Sequence, residues 1–373
     1  MPNNIKMDFL DVIRRGANRF ERVSRDNVVR IVGTINCDGI SSVSILCKAF
    51  QRENIRYVAS CVNNLDNEIL DDLNSESYGV IVFVDIGSGH LNEIEERING
   101  KNIFILDHHI SHRSKWEDFI EHINPCLSGI DGGKELCAAG VAYLFAKELN
   151  KANLDLSYLA VIGAIGDSQE DDGFEGLNRD ILGVAIKTGK IDVQNGFRLY
   201  GVNTKPIHKV LEYSTNPYFE GITGNEDGAI KFLDEIGINA RKGGRFRMFN
   251  DLNDVERRKL IGSIISGKSS GSDKLFGNVY VLANEEEGKL TRDAREFSTL
   301  LNCCGRLGRS SLGVATCLGD LSSKGEAINL MNDYRDEIVR NLRWFYNNRG
   351  KERVIESERA FSYVRDRQDR RRQ

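Results

Sequence analysis

Up to about residue 190, short apolar runs alternate with longer stretches whose apolar residues recur at helical spacing. A helix is expected over residues 7–24, with Phe9, Leu10, Val12, Ile13 and Phe20 at helical intervals. Strands are then expected at 28–34, 55–61, 79–84 and 101–106, and helices at 39–52, 66–75 and 91–99. Alternation of this kind implies right-handed βαβ units, a mainly parallel sheet and an α/β fold. Helices over 137–150 and 154–165 would cover the sheet. The second has no clear period and fits a strand as well as a helix.

The pattern changes near residue 195. Gly201, Asn203, Pro206, Asn216, Pro217, Gly221, Gly224 and Asn225 crowd one stretch, which reads as looped connection. Beyond it, helices are expected at 226–236, 252–266 and 292–302, and strands at 278–282 and 312–318. A long helix follows over 323–348, with Ile328, Met331, Tyr334, Ile338, Leu342 and Phe345 near helical spacing. Arg365 to Gln373 is polar, Arg-rich and offers little to bury, so it reads as a frayed or disordered end. The implied layout is a sheet domain over 1–194, an inserted α/β module over 195–321, a connecting helix over 322–349 and a polar tail over 350–373.

Composition narrows the class. A chain of 373 residues is long enough for two or three domains. No apolar stretch approaches the roughly 20 residues of a membrane span, and Met1 to Lys6 lacks the charged-then-apolar order of a secretory signal. A cytoplasmic protein without membrane partners is expected. The eight cysteines are scattered, as reduced thiols are, and Cys303-Cys304 lacks Cys-x-x-Cys spacing. A net charge of −4 excludes a global basic field, so any nucleic-acid contact must come from local patches.

The chemistry gathers where apolar segments end. Asn102-Ile103-Phe104-Ile105-Leu106 runs into Asp107-His108-His109, Ile81 to Val84 into Asp85-Ile86-Gly87-Ser88, and Val28 to Val32 into Asn36-Cys37-Asp38-Gly39. A further segment, Leu159 to Ile165, ends in Gly166-Asp167-Ser168. Strand ends of this kind are where open α/β sheets keep their sites. Singly, an aspartate after a strand is most often a helix cap or turn residue. A lone histidine is more often packed or solvated, the class of His90, His112, His122 and His208. Four such ends together read as one metal site. Asp38, Asp85, His108 and Asp167 would supply three carboxylates and an imidazole, a donor set suited to Mn²⁺, with Mg²⁺ as the alternative ion. Paired ions of this type promote phosphodiester hydrolysis.

These motifs, in this order and spacing, resemble the DHH phosphoesterases, specifically the archaeal RecJ-like branch of GINS-associated nucleases. The resemblance extends through Asn124-Pro125, Ala139 to Tyr143, Gly163 to Gln169 and Gly176-Leu177-Asn178-Arg179. It continues through Asn216-Pro217, Gly224-Asn225-Glu226, Arg295-Glu296-Phe297, Leu301-Asn302 and Cys304 to Leu307, and covers roughly residues 28–345. It implies that Asp85 bridges two Mn²⁺ ions and that Asp38, His108 and Asp167 complete the second ion's shell. It also implies that His109 faces the scissile phosphate while Asp107 orients the neighbouring ligands. The implied reaction is exonucleolytic release of nucleotides from single-stranded DNA or RNA. The inserted module is implied to contact the GINS complex.

Two departures qualify that expectation. The family's first motif reads His-x-Asp-x-Asp-Gly, and here Thr34-Ile35-Asn36-Cys37-Asp38-Gly39 stands in its place. Thr34 and Asn36 replace an imidazole and a carboxylate of the first ion, so one tight ion and one weak or absent ion are expected. No Gly-Gly-Gly-His element follows the long helix, so the family's C-terminal substrate clamp is absent or truncated in this sequence. The favoured reading is a RecJ-like protein of DNA replication or repair with impaired catalysis. The alternatives are a non-catalytic replisome scaffold bound to GINS or replicative helicase components, and a small-nucleotide phosphodiesterase. Arg292, Arg295, Arg306 and Arg309, and the cluster Lys242, Arg245 and Arg247 near Phe246, are candidate nucleic-acid contacts. The second cluster reads equally as a solvated basic face.

Overall fold

The structure, a computed structural model, describes residues 3–113, 115–214, 217–266, 275–348 and the short strands 354–356 and 362–364. Asn216 and the Arg-rich segment from Arg365 onward lie outside the described residues. In chain order the first elements are α1 (Asn3–Ser24), β1 (Val29–Thr34), α2 (Cys37–Arg52), β2 (Tyr57–Val62), α3 (Asn67–Ser75), β3 (Val80–Val84), α4 (Leu91–Arg97), β4 (Asn102–Leu106) and β5 (Ile120–Ile123). Then come α5 (Ala138–Leu149), α6 (Ser157–Gly166), α7 (Gly176–Lys187), β6 (Ile191–Phe197), α8 (Ile207–Glu212), α9 (Glu226–Glu235), β7 (Arg241–Lys242), β8 (Arg245–Phe246) and α10 (Asp254–Ser266). The last are β9 (Phe276–Leu282), α11 (Ala294–Arg306), α12 (Ser310–Leu318), α13 (Leu321–Asn348), β10 (Val354–Glu356) and β11 (Ser362–Val364).

The chain divides into two compact units, Met1–Gly196 with Asn278–Met331, and Phe197–Gly277 with Asn332–Gln373. The first is built on a five-stranded sheet of order β2-β1-β3-β4-β5. All of its neighbouring strands run parallel. Strand order reverses between β1 and β3, the switch point at which open α/β sheets leave a crevice beyond the strands' carboxyl ends. Register makes that crevice chemical: Gly33 pairs with Val84 and Val84 with Leu106, so Thr34, Asp85 and Asp107 emerge side by side.

Burial explains why these strands are apolar throughout. Every residue of β3 is buried, and helices cover both sheet faces. On one face α1 brings Phe20 against Phe50, Phe104 and Phe145, with ring centroids 5.0, 5.3 and 5.5 Å away. On the other, Leu70 and Leu73 of α3 and Leu91 and Ile94 of α4 pack on Ile81, Phe83, Ile103 and Ile105. The second unit has its own core, including Phe197, Ile207, Leu211, Leu233, Leu260 and Ile264.

Two expectations are corrected or resolved. Residues 312–318, expected as a strand, form helix α12. Its buried Leu312, Gly313, Thr316 and Cys317 are spaced at helical intervals, and Gly313 lets it lie close to Ile40 of α2. The ambiguous segment 154–165 contributes helix α6. Nearly all of α6 is buried, so no polar face marks its period. Strand β5 was not expected, because Glu121 and His122 interrupt so short an apolar run; α7 and β6 were likewise unforeseen. Among the described residues no helix is long and apolar enough to cross a membrane.

Phe20 ties α1 to the sheet. Phe20→Ala is expected to lower unfolding free energy by about 3–5 kcal/mol, the usual cost of emptying a buried aromatic site. Urea denaturation midpoints check this.

Candidate metal centre

Asp38 lies in the first turn of α2, whose N-cap is Asn36. The Asp38 carboxylate is buried, and its two oxygens accept from the amides of Ala138 and Ala139 at 2.8 and 2.9 Å. Those amides open α5, so the helix dipole favours the carboxylate there. Asp85 directly follows β3 and adopts a φ of +60°, a conformation that side chains other than Gly, Asn and Asp rarely take. Asp107-His108-His109 follows β4, and Asp167 is the C-cap residue of helix α6 rather than a strand end.

These residues come together. His108 Nε2 lies 3.3 Å from Asp85 Oδ1, 3.8 Å from Asp38 Oδ2 and 3.9 Å from Asp167 Oδ2. His108 Nδ1 approaches the Gly132 carbonyl at 2.6 Å. A carbonyl can only accept, so Nδ1 carries a proton there and Nε2 is the nitrogen turned toward the carboxylates. Asp85 Oδ1 and His108 Nε2 are both buried without an aligned hydrogen-bond partner. Buried polar atoms are rarely left so. An orphaned carboxylate oxygen and an orphaned imidazole nitrogen facing one space, with two more carboxylates around it, fit a divalent cation.

Electrostatics agree with that fit. Burial raises the Asp38 carboxyl, and repulsion from Asp85 and Asp167 adds to it, so it is pushed up to about 7. Burial lowers His108, yet Asp85, Asp38 and Asp167 outweigh burial and push it up to about 11. Three crowded carboxylates thus draw positive charge into the site.

The other side of Asp85 is built differently. Its Oδ2 accepts hydrogen bonds from the Thr34 hydroxyl and, at 2.8 Å, from Asn36 Nδ2. Asn36 Oδ1 meanwhile accepts from the Gly39 amide at 2.7 Å, capping α2. Thr34 and Asn36 therefore satisfy one Asp85 oxygen with protons.

Asp107 organises its own tripeptide. Oδ1 accepts from the amide of His108 and from His109 Nδ1, both at 2.8 Å, and Oδ2 accepts from the Ser88 amide at 2.9 Å. Burial alone would raise this carboxyl. The His109 bond and the charge of both imidazoles outweigh burial and hold it well below the usual carboxylate range. Asp107 raises His109 in turn. With Nδ1 tied to Asp107 and the side chain 57% exposed, His109 can present Nε2 to a bound molecule.

A supporting layer surrounds these groups. Gln169 Nε2 donates to both the Gly132 carbonyl and Asp167 Oδ2 at 2.7 Å, and Asn178 Nδ2 holds Gln169 Oε1 at 2.6 Å. Asn124 Nδ2 donates to the His109 carbonyl and to Ser88 Oγ, which meets His122 Nε2 at 2.8 Å. From α11, Asn302 Oδ1 accepts the Cys37 amide at 2.8 Å, and Gly305 leaves room for the Ile35 carbonyl that any Cβ would overlap. Residue-type and spacing signals single out none of these roles.

The candidate arginines are mostly engaged within the chain. Arg295 pairs with buried Glu170, Arg292 donates to the Glu285 carbonyl, and Arg309 pairs with Glu326. Arg306 is exposed on α11. Arg247 is buried in a two-pronged pair with Glu256 at 2.7 and 2.6 Å, which corrects its reading as part of a solvated basic face. His208 is buried beside Phe246, and His122 lies against Trp116.

Comparison with known proteins places the chain. A model of the DHH family N-terminal domain matches residues 28–164, and one of the DHH-CID domain matches residues 199–271. Uncharacterized protein MJ0831 of Methanocaldococcus jannaschii is 32% identical over 319 residues, covering 84% of this chain and 68% of that protein. The chain belongs to the DHH family. The fold is similar to that of CDC45 from Entamoeba histolytica, with a TM-score of 0.67 and 14% identity over 90% of this chain and 74% of that one. It is also similar to exonuclease RecJ bound to manganese, with a TM-score of 0.50 and 16% identity over 89% of this chain and 66% of that one. Within this DHH-family site, the acid–His–His tripeptide and its carboxylate neighbours form two overlapping groups able to hold metal, Asp85-Asp107-His108-His109 and Asp38-His108-Asp167.

Two outcomes follow. Gln169→Leu removes the donor that orients both Asp167 and the Gly132 carbonyl, and is expected to weaken Mn²⁺ binding by roughly 10–100-fold, as loss of such supporting contacts does; calorimetric titration measures it. His122, pushed down by burial to about 4, stays neutral in the fold while the unfolded chain protonates near 6.5. The unfolded state then binds the extra proton between those values, so this group makes stability fall as pH drops through that window. His122→Gln is expected to flatten the loss of urea midpoint between neutral and acid pH relative to the parent chain.

Proposed function

We propose that this protein is a RecJ-like DHH protein of DNA replication or repair that holds one divalent cation and engages single-stranded nucleic acid, with phosphodiester hydrolysis weakened or lost. In this reading it serves chiefly as a scaffold, contacting GINS or other replicative helicase components through the DHH-CID region. The observation that carries the reading is the double hydrogen bond to Asp85 Oδ2 from Thr34 and Asn36.

Asp38, Asp85, His108 and Asp167 would hold Mn²⁺ or Mg²⁺, whose chemistry there is Lewis-acid polarisation of a phosphoryl oxygen. The chain's own groups do the rest. Asp38 keeps its place through the α5 amides, and His108 is fixed in its tautomer by the Gly132 carbonyl. His109, held by Asp107 and open to solvent, would donate to a phosphate oxygen. What the site lacks is a means of making hydroxide. Two-ion hydrolysis needs a second cation to activate water, and the Asp85 oxygen that would face it is already satisfied by a hydroxyl and an amide. Neither Thr34 nor Asn36 brings the charge needed to draw an ion in.

Mn²⁺ titration of the purified chain with an end-labelled single strand present is expected to give one ion per chain and strand binding without appreciable cleavage. Thr34→His with Asn36→Asp places an imidazole and a carboxylate two residues apart at the end of β1, and is expected to add a second ion. Robust cleavage by the parent chain, abolished by Asp38→Ala, would show that the closed oxygen does not limit hydrolysis and would overturn the reading.

A further inference from the structure

The hairpin β7–β8 carries an arrangement that the metal centre does not account for. Gly243 and Gly244 close it, with φ of +59° and +82°, the left-handed pair that a two-residue turn of this type requires. A Cβ at either glycine would meet nothing within 4 Å, so the tip is bare backbone facing open space. Across the strands Lys242 stands opposite Arg245, and Arg241 opposite Phe246. Like charges placed directly opposite each other destabilise a strand pair. Arg245 reaches Asp251 at 3.3 Å with its side chain 76% exposed, so water screens that contact. Lys242 is exposed and makes no ion pair among the described residues.

The stalk under this pair is rigid. Buried Arg247 clamps Glu256 with both terminal nitrogens and donates to the carbonyls of Asn239 and Asp251. Its backbone joins Ala240 at 2.9 Å and Ile207 at 2.8 Å. The Arg241 guanidinium lies 3.8 Å from the centre of the Phe246 ring, which packs 4.0 Å from the His208 ring. Arg247 thus neutralises Glu256, Arg245 takes Asp251, and the hairpin still presents more positive charge than its acids offset.

We infer that this hairpin is a contact surface for the phosphate backbone of single-stranded nucleic acid, with Lys242 and Arg245 as the phosphate-binding pair. The inference rests on the proposed nucleic-acid reading and specifies where one strand contact lies. An anion between Lys242 and Arg245 turns their mutual repulsion into shared attraction. The bare glycine tip lets a strand approach closely, and the exposed, ring-stacked Arg241 offers a flat cation to a base. An acidic protein segment would use the charge but not that stack, so nucleic acid is the better fit.

The test is anisotropy of a labelled oligo-dT against salt, using the full chain. Lys242→Gln with Arg245→Gln removes both charges and their repulsion. Affinity is expected to fall about 25-fold near ~0.1 M salt, and the salt slope to fall by about 1.4, the counterion release of two single-strand phosphate contacts. Thermal stability of this variant should stay level or rise, which loss of a structural pair would not give. Arg179→Glu with Lys187→Glu on α7, a larger charge change elsewhere, should leave the slope nearer the parent value. Unchanged affinity and slope in the Gln variant would overturn the inference while leaving strand binding intact. Parent-chain binding to polyglutamate that exceeds binding to oligo-dT and depends on the same pair would overturn it in favour of an acidic protein partner. Failure of the parent chain to bind oligo-dT at all would overturn the nucleic-acid reading and this inference together, whereas Mn²⁺ stoichiometry tests the metal reading separately. If the Gln variant unfolds, Lys242→Ala alone is read instead, with half the change in slope expected.

Discussion

The two oxygens of Asp85 divide this site. One joins His108 Nε2 in a space lined by Asp38 and Asp167, and the other is held by Thr34 and Asn36. A buried carboxylate is costly unless every lone pair finds a proton or a cation. Here the neighbours answer differently on the two sides: neutral donors on one, an imidazole and two further carboxylates on the other. The backbone presents Asp85 at a φ of +60°, a conformation that Asp takes more readily than most other residues with a side chain. Only the switch of strand order between β1 and β3 brings both sets of neighbours within reach of one carboxylate.

Much of the sheet was legible in the sequence because its strands are short, apolar and covered on both faces. Helical spacing showed α1 and α3 because polar positions alternate with buried ones along each, and Asp66 caps α3 by accepting from the Ile69 amide; α2 is buried along most of its length, with Asn36 capping it by accepting from the Gly39 amide. Legibility failed where burial removed contrast. In α6 no polar face remains to reveal the period, and in α12 a glycine among β-formers imitates a strand. The metal-facing residues could be read because acids and imidazoles at the ends of apolar segments are conspicuous. Gln169, Asn178, Asn124, Asn302 and Gly305 lie in segments that carried the resemblance, but their roles could not be read, because an amide or a missing Cβ becomes meaningful only beside a partner distant in sequence.

Helix α11 shows how much of the site's precision is remote. Asn302 holds the first amide of α2, Gly305 admits the Ile35 carbonyl, and Arg295 pairs with Glu170 beside the Asp167 turn. One helix therefore braces the segment carrying Thr34, Asn36 and Asp38 and the segment carrying Asp167. Neither segment has regular structure where it bends, and Ser168 next to Asp167 also adopts a φ of +59°. Strained turns keep their shape when surrounding contacts over-determine them, and α11 supplies such contacts from 125 to 270 positions away in the chain.

The basic residues near Phe246 make the complementary point about charge. Lys242, Arg245 and Arg247 are indistinguishable by composition, yet the fold gives them opposite fates. Arg247 is buried, and both its terminal nitrogens are engaged by Glu256 and two carbonyls, so its removal would leave the half-buried Glu256 carboxylate without its cation. Lys242 and Arg245 stand in water on a two-stranded stalk that gains nothing from their facing each other. A like-charge pair that the fold does not need, mounted on a base that the fold holds firmly, is better explained by what binds it than by what it stabilises.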